Sequence, residues 1–71
     1  NLKKLDLHGL KHHEVTIKVE NFVLLNQQSL PLEIVCGKSQ KMIEIVTNVL
    51  DEIDCENFII KDFGTIIVRK I

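Results

Sequence analysis

Seventy-one residues carry a formal net charge of −1, with 45% hydrophobic and 27% charged residues, no Trp, no Tyr and three Phe. A chain this short buries only about 60% of its unfolded surface, so it has room for one domain, residues 1–71, and one modest core rich in Leu, Ile and Val. The composition excludes disorder, and the near-zero charge excludes a global positive field for nucleic acid; any phosphate grip must come from local lysines and backbone donors.

The first apolar stretch, Leu2 to Leu7, reads as a strand with Leu5 and Leu7 on one side and Asp6 and His8 on the other. His8-Gly9 ends it. From about His12 to Gln28, Val15, Val19, Phe22 and Val23 follow helical spacing. The polar run Asn26-Gln27-Gln28-Ser29 stops that helix. Pro31 opens a short strand, Leu32 to Val35, and Cys36-Gly37-Lys38-Ser39 breaks it. A second helix follows from about Gln40 to Ile53, with Ser39 as its cap. Strands at about Asn57 to Lys61 and Thr65 to Lys70 close the chain as a hairpin around Asp62-Phe63-Gly64. The order β-α-β-α-β-β predicts a two-layer α/β sandwich: a four-stranded mixed sheet with parallel strands across the helical crossovers and both helices on one face.

Cys36 and Cys55 form no Cys-x-x-Cys pair and no disulfide framework, which suits a reducing, cytoplasmic setting. No apolar run approaches the roughly 18 residues of a membrane helix, so no membrane partner is expected. Cys36 reads as a small half-buried residue rather than a reactive thiol. His12 and His13, adjacent at a helix start, diverge by about 100° and read as a solvated first turn, not as metal ligands. No metal or other cofactor is expected.

Ligands of open α/β sheets gather beyond the carboxyl ends of parallel strands. Two loops qualify: the segment from Asp6 to Leu10, and the segment from Cys36 to Ser39. If the first two strands are adjacent, these loops lie side by side. In the first, Asp6 and His8 share a strand face, where a carboxylate can fix an imidazole for acid/base work, and Gly9 permits a sharp turn with close ligand approach. The plainer reading is that Asp6 caps a turn and His8 is a loop residue. In the second, Gly37, the amides opening the helix, Lys38 and Ser39 form an anion site. Gly-Lys-Ser lacks the earlier glycine of a P-loop, since Leu32 stands there, and by itself is a strand-to-helix turn.

Leu5-Asp6-Leu7-His8-Gly9-Leu10, then Glu14-Val15 opening a helix, a strand leading to Gly37, and Gly64-Thr65 before the last strand together resemble the Smr (small MutS-related) domain family over essentially the whole chain. The first segment matches that family's signature at every position. In the second motif Gly37 matches, while Cys36 and Ser39 depart from it. The resemblance implies a fold similar to the C-terminal domain of translation initiation factor 3. It also implies metal-independent endonuclease activity on RNA or DNA, with Asp6 and His8 as the catalytic pair. The expectation is therefore a phosphodiester-cleaving enzyme with Gly9, Gly37, Lys38 and Ser39 at the phosphate and RNA favoured over DNA. A larger protein or ribosomal partner remains open. The alternatives are a non-catalytic nucleic-acid-binding module using the same loops, or a protein-interaction domain with a vestigial site.

Overall fold

The last of the described strands in chain order lies inside the sheet. A computed structural model describes residues 2–62 and 64–71. It contains β1 (Lys3–Asp6), α1 (His12–Leu25), a 3-10 turn (Gln27–Ser29), β2 (Leu32–Val35), α2 (Gln40–Glu52), β3 (Asn57–Lys61) and β4 (Thr65–Lys70). The strand order is β1-β2-β4-β3. β1 pairs with β2 in parallel, Lys3 opposite Leu32 and Asp6 opposite Val35. β4 runs antiparallel to both β2 and β3, so β1, β2 and β3 share one direction. The expected two-layer α/β fold with a four-stranded mixed sheet is the observed one.

Period-two alternation sorts the sheet residues. Leu32 and Ile34 of β2 and Ile66 and Val68 of β4 are fully buried and face the helices, together with Leu7 just past β1. Val15, Val19 and Val23, spaced four apart along α1, and Met42, Val46, Val49 and Leu50 of α2 complete one continuous core. Both helices therefore cover the same face. On the other face Glu33 lies between Lys4 and Ile67 in register, and Lys4 and Glu33 approach to 4.0 Å. Among the described residues no buried side-chain polar atom lacks a partner. Nor is any helix there long and apolar enough to cross a membrane.

Element ends differ from the periodic pattern where side chains compete for backbone. α1 was expected to run to Gln28, but it stops at Leu25. The Asn26 amide donates to the Phe22 carbonyl at 2.6 Å, and its backbone N–H donates to Val23, which closes the last turn. At the other end, the Lys11 N–H donates to the Glu14 carboxylate at 3.0 Å, satisfying a donor at the helix start. α2 ends on Ile53 as its cap, one residue past Glu52, with Asp54 at φ 59° turning the chain out of the helix.

The turn between β3 and β4 was expected at Asp62-Phe63-Gly64, of which Phe63 lies outside the described residues. Gly64 is tightly confined. Its φ is +141°, and a Cβ built on it would stand 1.7 Å from the Gly37 carbonyl oxygen. The Cys36 N–H donates to the Gly64 carbonyl at 2.6 Å, joining the hairpin to the end of β2. No side chain fits between these two backbones. Gly64→Ala should therefore cost at least about 2 kcal/mol, through both the disfavoured φ and the forced separation of the loops. Denaturant unfolding checks this; a Gly64→Ala protein as stable as the parent would mean that the two loops do not meet.

Candidate functional site

The parallel pairing of β1 with β2 decides which residues meet beyond the sheet. The Leu7 N–H donates to the Val35 carbonyl at 3.0 Å, extending the β1–β2 ladder by one step. Residues 7–10 and 36–39 therefore leave the sheet side by side, as expected. The Cys36–Gly64 bond brings the β3–β4 turn to the same edge. Three chain segments thus converge where β1, β2 and β3 end.

In the first segment the strand ends at Asp6, so His8 lies in the turn rather than on a strand face. Leu7, fully buried, anchors this turn in the core, and the Leu10 N–H closes it onto the Leu7 carbonyl at 3.1 Å. Asp6 and His8 are both exposed. The Asp6 carboxylate accepts a hydrogen bond from the backbone N–H of His8 at 2.9 Å. Of the two readings of this spacing, the bond is the plainer one: the carboxylate caps the turn and fixes the backbone that carries the imidazole, rather than meeting the ring. Gly9 follows at φ +81°, so the chain doubles back immediately after His8.

In the second segment Gly37, at φ +70°, and exposed Lys38 lead to Ser39, whose hydroxyl accepts from the Met42 N–H at 3.1 Å. Ser39 is therefore the N-cap of α2, and its backbone carbonyl accepts from the Ile43 N–H. The hydroxyl oxygen is engaged as acceptor in the cap, so the donors left to this segment are backbone amides, the Ser39 O–H and the Lys38 ammonium. Cys36, expected to be half-buried, is only 5% exposed, and burial raises its thiol pKa from 9.0 to about 11. It belongs to the core. His12 and His13 are exposed in the first turn of α1. Among the described residues no three His, Cys, Asp or Glu side chains gather as they would around a metal ion.

Residues overlooked in the sequence also lie at this edge. An open groove of about 490 Å³ is lined by Lys38, Gln40, Ile43, Ile60, Asp62 and Gly64. Gln40, Ile60 and Asp62 belong to no motif. They come together because β4 enters between β2 and β3, setting the end of β3 one strand away from the start of α2.

No protein-family model matches the chain, and no curated protein and no solved structure matches it. The site is therefore defined by its geometry.

Two measurements separate turn-forming from other roles. Asp6→Asn keeps an acceptor oxygen for the His8 N–H and should leave stability within about 0.5 kcal/mol of the parent, whereas Asp6→Ala should lose about 1 kcal/mol in urea unfolding. Equal losses in the two variants would show that the negative charge, not the acceptor, matters at this position. For Cys36, folded and unfolded chains both hold the thiol proton below pH 9. Above it the unfolded chain loses its proton first, so stability should fall between about pH 9 and pH 11, by roughly 2–3 kcal/mol from this group. The fall should be shallower in Cys36→Ala; an identical slope would mean that the thiol titrates normally.

Proposed function

We propose that this chain is a nucleic-acid-cleaving domain of the Smr type. It cuts phosphodiester bonds in RNA without a protein-held metal, and works in the cytoplasm. The observation that carries this reading is the side-by-side exit of the His8-Gly9 turn and the segment from Gly37 to Ser39. One segment offers an exposed imidazole and the other offers backbone donors and a lysine, the complement of a phosphate with a neighbouring hydroxyl.

The chemistry follows from those groups. A phosphate seated against the amides from Gly37 to Ser39 and the Lys38 ammonium has part of its charge neutralised, and each well-placed donor is worth a few kcal/mol as charge builds on the phosphorus oxygens. Gly9 lets the backbone approach. His8 takes the proton of the ribose 2′-hydroxyl as that oxygen attacks phosphorus, and the bond to the 5′-oxygen breaks. The imidazolium, or a water, returns a proton to the departing oxygen. Asp6 serves by holding the turn that positions His8. RNA is favoured because it supplies its own nucleophile, so no water has to be activated by a metal.

A second reading, a non-catalytic nucleic-acid-binding module, is favoured by two particular bonds. The Asp6 carboxylate is engaged with backbone, and the Ser39 hydroxyl is engaged as a helix cap. Each residue thus has a structural duty that accounts for it without catalysis.

Single-turnover cleavage of an end-labelled RNA, with and without EDTA, tests the two. The nuclease reading expects cleavage that survives EDTA, falls by about 10²–10⁴ in His8→Ala, and stops at a single 2′-deoxy substitution at the scissile position. Lys38→Ala should lower affinity and reduce the salt slope by about one phosphate contact. Salt-dependent RNA binding without cleavage would establish the binding module. Cleavage lost in EDTA and restored by Mg²⁺ would overturn the metal-independent mechanism.

A further inference from the structure

Ile60 pairs with Ile66 in the β3–β4 register, and Ile66 is a fully buried core residue on the helix-covered face. Ile60 faces the same way, yet it is 54% exposed. α2 does not extend over the end of β3, and the uncovered space is the groove beside Lys38. Its walls are apolar, from Ile60 on the sheet and half-buried Ile43 on the helix. Its rim is polar, with Lys38 on the side of the β2–α2 loop and Gln40 and Asp62 beside it. A volume of about 490 Å³ lies in the range of small-molecule sites, and a flat ring between two aliphatic walls with a charged rim matches a nucleotide better than a wholly apolar ligand.

We propose that this groove receives the base attached to the bound phosphate, and that it selects guanine. The inference rests on the phosphate-binding part of the reading above, because Lys38 belongs both to that loop and to the groove. The base stacks between Ile43 and Ile60 while its phosphate reaches the Lys38 ammonium. The Asp62 carboxylate can only accept hydrogen bonds. Guanine presents two adjacent N–H donors, on N1 and N2, which one carboxylate accepts together. Uracil has no amino group, and its carbonyl oxygens would face the carboxylate's negative charge. The Gln40 side-chain amide can both donate and accept, and it serves the carbonyl edge of the ring.

The test uses the whole chain with ¹³C-labelled isoleucine methyls, titrated separately with GMP, AMP, CMP, UMP and ribose 5-phosphate. GMP should shift the Ile43 and Ile60 methyls saturably, with about tenfold weaker binding of the other nucleotides and no comparable shift from ribose 5-phosphate. Ile60→Ala, at an exposed position, should weaken GMP about fivefold by removing one wall. Asp62→Asn, where a positive φ suits asparagine, should erase the guanine preference. Equal shifts from ribose 5-phosphate, equal affinity for all four bases, or an unmoved Ile60 would each overturn the proposal. RNA cleavage measured on the same preparation keeps the two ideas apart. GMP-dependent shifts without cleavage would sink the nuclease reading alone, and cleavage without those shifts would sink the guanine groove alone.

Discussion

The Gly64 carbonyl accepts the Cys36 N–H while Gly64 itself packs against the Gly37 backbone with no space for a side chain. Much of the candidate site depends on this contact. It fixes the β3–β4 turn against the segment that opens α2, and so sets how far Ile60 and Asp62 stand from Lys38. A turn held two or three ångströms further out would widen the groove and separate Asp62 from the loop. Because the contact is backbone to backbone, it is independent of rotamers, and its geometry is as rigid as the strands that end in it. The same position couples local stability to the site: whatever loosens the hairpin also loosens the start of α2.

The core explains how the residues at this edge are held in place. Leu7, Cys36 and Met42 lie within or beside the loops, and all three side chains are buried. Each loop is pinned by one apolar side chain pointing inward, while its polar neighbours His8, Lys38 and Gln40 point outward. Hydrophobic burial thus supplies the positional rigidity that a 71-residue domain cannot draw from size. The raised Cys36 pKa is a by-product of that anchoring.

Much of this was legible in the residues. The limits of β2, β3 and β4 follow from short apolar runs bounded by Pro31, Gly37, Asp62 and Gly64, and Ser39 announces the start of α2. The end of α1 was legible only to within a few residues, because the polar run from Asn26 to Ser29 marks a stop without placing it, and the bond from Asn26 to Phe22 sets it at Leu25. The Asp-x-His spacing shows that two groups are near one another. It does not show whether a carboxylate meets a ring or an amide, which differs by a single side-chain torsion. Strand order is the largest gap. Adjacent hairpin strands are readable, but the insertion of β4 between β2 and β3 is a property of the whole sheet, and the groove exists only because of it.

That insertion also dictates the order in which the domain can be completed during synthesis. β2 obtains its second neighbour from β4, which follows all the other described elements in the chain, and until then Leu32 and Ile34 belong to a sheet missing its middle. The hairpin can form as soon as Lys70 is free of the exit channel, yet the core around it closes only when that hairpin docks beside β2. The nascent chain must therefore keep two amphipathic helices and an incomplete sheet from sticking elsewhere, and folding will be concerted and late rather than progressive from the amino terminus.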